Sequence, residues 1–333
     1  MANVQAQTTT SFRERLAQRT QHGDGIFWAV TLFFALVVIA LVVAIGWVTW
    51  SDSALARERF GLGFFTSTEW NPVETEVSPE SFGAMPAIVG TLVSSIIALL
   101  LAGPIAIGIG IFLAELCPPS LRMPLSFMVE LLAAIPSVIY GVWGVMVFAP
   151  FFTQYIGVPL SSSMRDVIPW LTSAQVASGR GLLVAGIILA IMILPTIAAI
   201  TRDVLTLVPN TQREVMLALG ATKWEVIWLS VVPYARAGIV GGVMLGLGRA
   251  LGETMAATML VGNRSQVPGS LLEPATTAAS LVASELTNAQ SLLHESALVL
   301  IALALFAITL LLNLIARMLI WFVNRGPVGS ARA

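Results

Sequence analysis

Charge is what this chain has least of. Only 11% of its 333 residues are Asp, Glu, Lys or Arg, where a soluble domain carries about 25%. With 57% hydrophobic residues and a mean hydropathy of +0.88, it cannot cover its surface with polar groups. Lipid must cover part of it, which excludes a soluble globular class. Net charge is −1, so no polyanion is implied and no nucleic acid is expected. The single cysteine, Cys117, excludes an internal disulfide. His22 and His294 stand apart, and no four candidate ligands cluster, so no metal site is expected. The single lysine, Lys223, is followed by Trp224, and the GxxxxGK[ST] loop that cradles nucleotide phosphates is missing. ATP chemistry, if the chain uses it, belongs to another chain, and no catalytic residue is assigned here.

Apolar runs, by contrast, are abundant. A membrane helix needs roughly 20 apolar residues, and six stretches qualify: about 26–50, 86–115, 124–150, 181–203, 234–262 and 296–323. The first is longer than a signal-peptide core and no small-x-small cleavage site follows it, so it is expected to be retained. Trp28, Trp47 and Trp50 near its ends fit an interfacial aromatic belt and a lipid-facing anchor. The chain thus reads as an all-α integral membrane protein. Its parts are an arm (1–25), a first span (26–50), a loop (51–85), a five-span core (86–323) containing a polar segment at 204–233, and a tail (324–333).

Cations orient the spans. Arg13, Arg15, Arg19, Arg122, Arg202, Arg213, Lys223, Arg325 and Arg332 fall on one side, against Arg57, Arg59, Arg165, Arg180 and Arg264 on the other. Nine against five predicts both termini cytoplasmic, as an even number of spans requires. The 51–85 loop is acidic and aromatic, with GLGFF at 61–65 and Trp70; its aromatics either dock a partner or cap the bundle. Residues 263–295 can form a short outer helix. Gly103-Pro104, Pro136 and Pro195 interrupt apolar spans, and proline removes a backbone bond and kinks a helix. Gly238, Gly242 and Gly246 recur at four-residue spacing, with Gly248 and Gly252 beyond them, and permit close helix approach. Kinks and glycines together favour a transport bundle over a simple anchor.

Two charges lie in the fifth apolar stretch. Arg249 is expected near the midplane, with Glu253 one turn later at i+4 on the same helix face. Charges there are costly, about 2.5–3.5 kcal/mol each on insertion scales, and point to function. A guanidinium can hold an oxyanion through two parallel hydrogen bonds. A nearby carboxylate can accept from a protonated oxyanion. The alternative is a structural Arg249–Glu253 ion pair. Thr254 and Thr258 add hydroxyls that either face the path or bond back to their own helix. Ser137 and Tyr140, in IPSVIYG beside a kink, are candidate path lining. Glu115 and Glu130, at span ends, read as capping or interface groups.

The polar segment before that stretch predicts two short helices. One covers 212–219 and ends at Gly220, suited to a left-handed cap. The other covers 222–231 and opens with a Thr222/Glu225 capping-box pattern. Pro233 is expected to start the next span. Together they form a compact knob on the cytoplasmic face.

The knob's spacing resembles the cytoplasmic coupling loop of ABC-importer permeases. Glu214 precedes Gly220 by six residues and Val232-Pro233 closes the motif, while Val215 and Met216 replace the usual alanines. Longer segments at 82–116, 122–144 and 219–256, with GFFTSTEWNPV at 63–73, are similar to the phosphate-transport permeases of the PstC family. The resemblance covers most of 60–325. It implies a type I ABC-importer permease (MetI-like) fold in a bacterial inner membrane. It implies a second permease, PstA, completing the pathway; an ATPase dimer, PstB, with its ATP and Mg, receiving the knob; and a phosphate-binding protein, PstS, docking on 51–85 and 263–295. It implies that Arg249 and Glu253 of RALGE serve phosphate passage, with Thr254, Ser137 and Tyr140 beside them. It implies that Glu214, Ala218, Gly220, Lys223 and Pro233 carry coupling. No cofactor is expected on this chain. The rivals are an ABC permease for molybdate or sulfate, a self-sufficient secondary transporter or channel, and a subunit that only signals phosphate status.

Overall fold

The computed structural model describes residues 24–74, 79–163 and 179–324. The expected arm as far as residue 23, most of the tail, and Arg13, Arg15, Arg19, Arg165, Arg325 and Arg332 lie outside these. The chain divides after Ser51. The first unit holds one long helix, α1 (Asp24–Asp52), whose apolar side chains are exposed, Trp28 and Trp47 among them.

The second unit begins with α2 (Ala54–Phe60), a 3-10 turn over GLGFF and a two-residue antiparallel pair, β1 (Trp70–Asn71) with β2 (Ser81–Phe82). Then come α3 (Met85–Ile111), α4 (Pro119–Ala134), α5 (Ser137–Trp143), α6 (Ala149–Phe152), α7 (Val158–Ser163) and α8 (Leu182–Thr206). After these follow α9 (Asn210–Ala218), α10 (Lys223–Val226), α11 (Val232–Leu251), α12 (Met255–Leu260), α13 (Ala278–Glu285) and α14 (Leu292–Asn324). Among the described residues, six helical runs are long and apolar enough to cross a membrane: 25–52, 85–116, 137–162, 182–206, 223–251 and 292–318.

Two of the runs differ from expectation. The third run starts at Ser137 rather than 124, because Ile135 and Pro136 are extended and separate it from α4. The fifth runs from Lys223 to Leu251 rather than 234–262. Pro104 and Pro195, expected to interrupt their spans, lie inside the continuous helices α3 and α8.

Proline acts elsewhere. Four π-turns, Phe112–Leu116, Gly144–Phe148, Thr153–Gly157 and Ile227–Val231, each end two residues before a proline: Pro118, Pro150, Pro159 and Pro233. In each, the residue before the proline donates its N–H five residues back, as Cys117 does to the Phe112 carbonyl at 2.7 Å. A proline ring crowds the carbonyl four residues earlier and offers that group no N–H. Widening the preceding turn is a local solution that keeps the helix running.

Helix α8 is the hub. It packs on α3, α11 and α4, and 61% of its apolar window is buried, more than in any other run. Its neighbour α11 approaches through small residues. A Cβ added at Gly238, Gly242 or Gly246 would come within 2.9 Å of Val204, Ile200 or Ile197, all on α8. The glycine stripe is therefore a packing face within the bundle.

The aromatic loop after α1 caps the bundle from within its own chain. Phe64 and Phe82 are buried with Ala278, Leu281, Ala297, Leu298 and Ile301 of α13 and α14. His294 does not stand apart: it stacks on Phe82 at 5.2 Å, and its Nε2 lies 3.0 Å from Glu285, which also accepts from Trp70 Nε1 at 2.9 Å. The expected short helix is α13, opened by a Thr277/Ser280 box and by the Thr91 hydroxyl, which accepts from Ala278 N at 2.8 Å.

Candidate functional site

The fifth apolar stretch is not one helix. It breaks at Gly252-Glu253-Thr254, between α11 and α12. Glycine is a weak helix former, and the Glu253 carboxylate supplies the alternative: its Oε1 accepts from Ala256 N at 3.2 Å and caps the start of α12. Arg249 falls in the last turn of α11. Each charge thus sits at the helix end whose dipole it complements. Arg249 and Glu253 do not share a helix face, and the ion pairs among the described residues do not include them. The shared helix face expected from i+4 spacing, and the structural ion pair offered as the alternative, are not formed.

The partner of Arg249 is Thr196 on α8. Its Nη1 donates to Thr196 Oγ1 at 3.2 Å. Among the described residues its Nε and Nη2 have no hydrogen-bond partner, and the side chain is half-buried. One nitrogen is held by the bundle hub while the others remain available to an oxyanion. Sequence reasoning missed Thr196; the only signal was its place one residue after Pro195.

The hydroxyls divide by role. Thr258 donates to the Thr254 carbonyl at 2.7 Å and Thr254 to the Gly252 carbonyl at 3.3 Å, so both bond to their own backbone. Tyr140 is buried and donates to the Leu132 carbonyl at 2.9 Å; it closes the end of α4. Ser137 is half-buried at the first position of α5. Helix α5 packs directly on α12: a Cβ at Gly141 would meet Met259 Sδ at 2.7 Å. The structure therefore brings 137–143 to 255–260, and Arg249 to α8.

The knob forms much as its spacing predicts. Helix α9 ends before Gly220, whose φ is +87°, a backbone state that glycine adopts at no steric cost. Thr222 and Glu225 make the reciprocal capping box, with Glu225 Oε2 accepting from Thr222 N at 2.7 Å. What differs is the continuation. Pro233 does not start a new span: α10, the π-turn 227–231 and α11 form one helical run. Pro233 lies inside this run, and the π-turn before it accommodates the missing N–H. Glu214, Ala218, Gly220, Lys223 and Pro233 are all exposed, beside the exposed apolar Val215, Leu219 and Trp224.

Two arginines tie the knob end together. Arg202 pairs with Glu130 of α4 at 2.9 Å and with Asp203 at 2.6 Å. Arg213 pairs with Glu115 at 2.6 Å, both side chains largely buried. Glu115 and Glu130 thus hold helices to one another, as expected of interface groups; their arginine partners were counted only as charges.

Residues 106–325 match the family model described as "Binding-protein-dependent transport system inner membrane component". The chain is similar to the "Phosphate transport system permease protein PstC" of Mesorhizobium japonicum, 46% identical over 94% of this chain and 95% of that protein. It is also similar to the protein of the same name from Pasteurella multocida, 45% identical over 90% and 92%. Among solved structures, a chain of the inward-facing MetNI methionine ABC transporter superposes with a TM-score of 0.55 at 18% identity, covering 72% of this chain and 95% of that one. That likeness establishes the fold.

Proposed function

This chain belongs to the binding-protein-dependent transport system inner membrane components, among their PstC phosphate-transport permeases, and from that premise we propose that it forms one half of the translocation pathway of an ATP-driven, high-affinity inorganic phosphate importer. It is a multi-pass protein of the inner membrane. A second permease of the PstA kind completes the pathway. A PstB-type ATPase dimer, carrying ATP and Mg, receives the exposed knob face. A PstS-type binding protein docks on the 51–85 and 263–295 loops and delivers phosphate there. The knob and both termini are cytoplasmic, in keeping with the cation count.

One observation carries this reading: α10, the second helix of the knob, and Arg249 belong to a single helical run, Lys223 to Leu251. Arg249 is 26 residues beyond Lys223, about 39 Å along a helix. A partner that moves the knob moves the same rod that presents a half-free guanidinium. Phosphate takes the Nε–Nη2 edge, which suits bidentate binding of an oxyanion. Glu253, at the break, accepts from the protonated oxygen of hydrogen phosphate, which sulfate and molybdate lack at neutral pH. Alternating access then exposes Arg249 first to one side and then to the other.

Replacing Arg249 by Gln in the assembled four-component complex is expected to abolish phosphate uptake in proteoliposomes with assembly intact. Normal uptake in that variant would remove Arg249 from the path. Competition by sulfate or molybdate at equal concentration would favour the other-oxyanion reading. Uptake by this chain alone under an ion gradient would favour a secondary transporter.

A further inference from the structure

The knob's internal joint is Arg213, and its contacts set it apart from the exposed docking residues around it. Its guanidinium makes five hydrogen bonds. Nε and Nη2 donate to the two carboxylate oxygens of Glu115, at 3.1 and 2.6 Å. Nη2 also donates to the Leu205 carbonyl at 2.9 Å, and Nη1 to the Val208 carbonyl at 2.6 Å and to Asn210 Oδ1 at 3.3 Å. Three elements meet on this one side chain. Arg213 itself stands on α9, within the knob. Glu115 lies in the π-turn that ends the second span. Leu205 and Val208 carry carbonyls at the C-terminal end of α8, where a cation is favoured by the helix dipole.

Its neighbour Glu214 is exposed. The two residues divide the labour of the motif: one faces outward to a partner, the other inward to the spans. Ile111, Ala114, Leu205, Val208, Val226 and Ile227 form one buried apolar cluster, and Val226 and Ile227 also line a pocket shared with Arg213 and Glu115. A bidentate, largely buried arginine fork fixes orientation as well as distance. Movement of α9 is therefore delivered to the ends of α3 and α8 rather than absorbed in a loose loop. Helix α8 then leads directly to Thr196, nine residues before Leu205, which holds Arg249.

We propose that Arg213 is the positioning residue that transmits knob movement to the second and fourth spans, with Glu115 and the carbonyl end of α8 as its receivers. This rests on the reading that the knob docks an ATPase, and the two can fail separately. Docking is tested by Val215→Asp, on the exposed knob face. It should release the ATPase on co-purification; if it does not, the docking reading fails. Transmission is tested by Arg213→Gln in the complete complex in proteoliposomes, with ATP hydrolysis and phosphate uptake measured together. The ATPase should still co-purify and hydrolyse ATP. Phosphate imported per ATP should fall roughly tenfold, within the usual span of site-to-site coupling. Arg213→Lys, which keeps the cation and three donors at the carbonyl end of α8, should recover part of that ratio, which a loss of folding would not allow. Glu115→Gln, which leaves the carbonyl bonds in place, should give a smaller fall in the same direction. Uptake and hydrolysis declining in parallel, or an unchanged ratio, would overturn the proposal. So would failure of both Arg213→Gln and Glu115→Gln to enter the membrane, since the pair would then serve folding.

Discussion

Gly246→Ala adds one methyl group that touches no charge, yet it should disturb the site. An added Cβ there would lie 2.6 Å from both Cγ1 and Cδ1 of Ile197. Ordinary carbon–carbon contact begins at about 3.5 Å, so α11 and α8 must separate by about 0.9 Å or Ile197 must move. Ile197 is 0% exposed, and a packed interior gives it little room to turn. Overpacking of this kind costs about 1–3 kcal/mol. Gly246 lies one turn before Arg249, and Ile197 is the chain neighbour of Thr196. The Arg249–Thr196 bond, now 3.2 Å, would stretch to about 4.1 Å, beyond hydrogen-bonding range. Losing a bond to a charged group is worth about 1.5–3 kcal/mol, or roughly a tenfold loss in uptake or more if Arg249 must be held. The assay pairs thermal unfolding of the purified complex with the initial rate of phosphate uptake. Gly248→Ala is the control: it has no atom within 4 Å of its added Cβ and should be neutral or slightly stabilising, because alanine favours helix over glycine. If Gly246→Ala melts and transports like the parent, the small-residue contact does not position Arg249. A loss confined to Gly248→Ala would place the tight contact on the opposite face of α11.

Two further changes probe the ends of the molecule. Thr222→Ala removes a side chain that both donates to and accepts from the capping box, and should destabilise the knob by about 1 kcal/mol; hydrogen exchange at 222–226 should quicken, and unchanged exchange would show that the continuing helix alone holds that turn. Glu285→Ala leaves Trp70 Nε1 and His294 Nε2 without their shared acceptor, at a cost of about 1–3 kcal/mol for the unpaired buried groups. Trypsin cleavage after the exposed Arg59 should then speed up, and an unaltered cleavage rate would mean that the aromatic contacts suffice.

The readable and unreadable parts of this chain separate by the range of the interaction. Apolar length marked the six runs, and the Thr222/Glu225 spacing marked the knob, because both signals are local. The glycine stripe was recognisable as a packing face, although its partner, α8, was not. The third run was misplaced because Leu131 and Leu132 are apolar enough to continue a span; only the extended Ile135-Pro136 pair decides that they do not. The Arg249–Glu253 pairing failed for a related reason. Spacing of i+4 presumes an unbroken helix, and Gly252 followed by a carboxylate able to cap the next turn breaks it. Thr196 and Arg213 were hidden because their partners lie 53 and 98 residues away, and no periodicity reports a contact of that range.

Two charges in the apolar core share one solution to the cost of burial. Glu253 opens α12 by accepting from Ala256 N, and Arg213 donates to the Leu205 and Val208 carbonyls at the end of α8. Helix termini are where backbone groups lack partners, and in a low-dielectric surrounding an unpaired amide is as costly as an unpaired side chain. Placing the charge at the terminus satisfies both at once. It also means that each charge reports the position of a helix end rather than the middle of a rod. Rigid-body motion of α9 or α11 therefore changes charge contacts first, at Arg213 and at Arg249, while the small-residue face between α8 and α11 can slide with its apolar contacts kept.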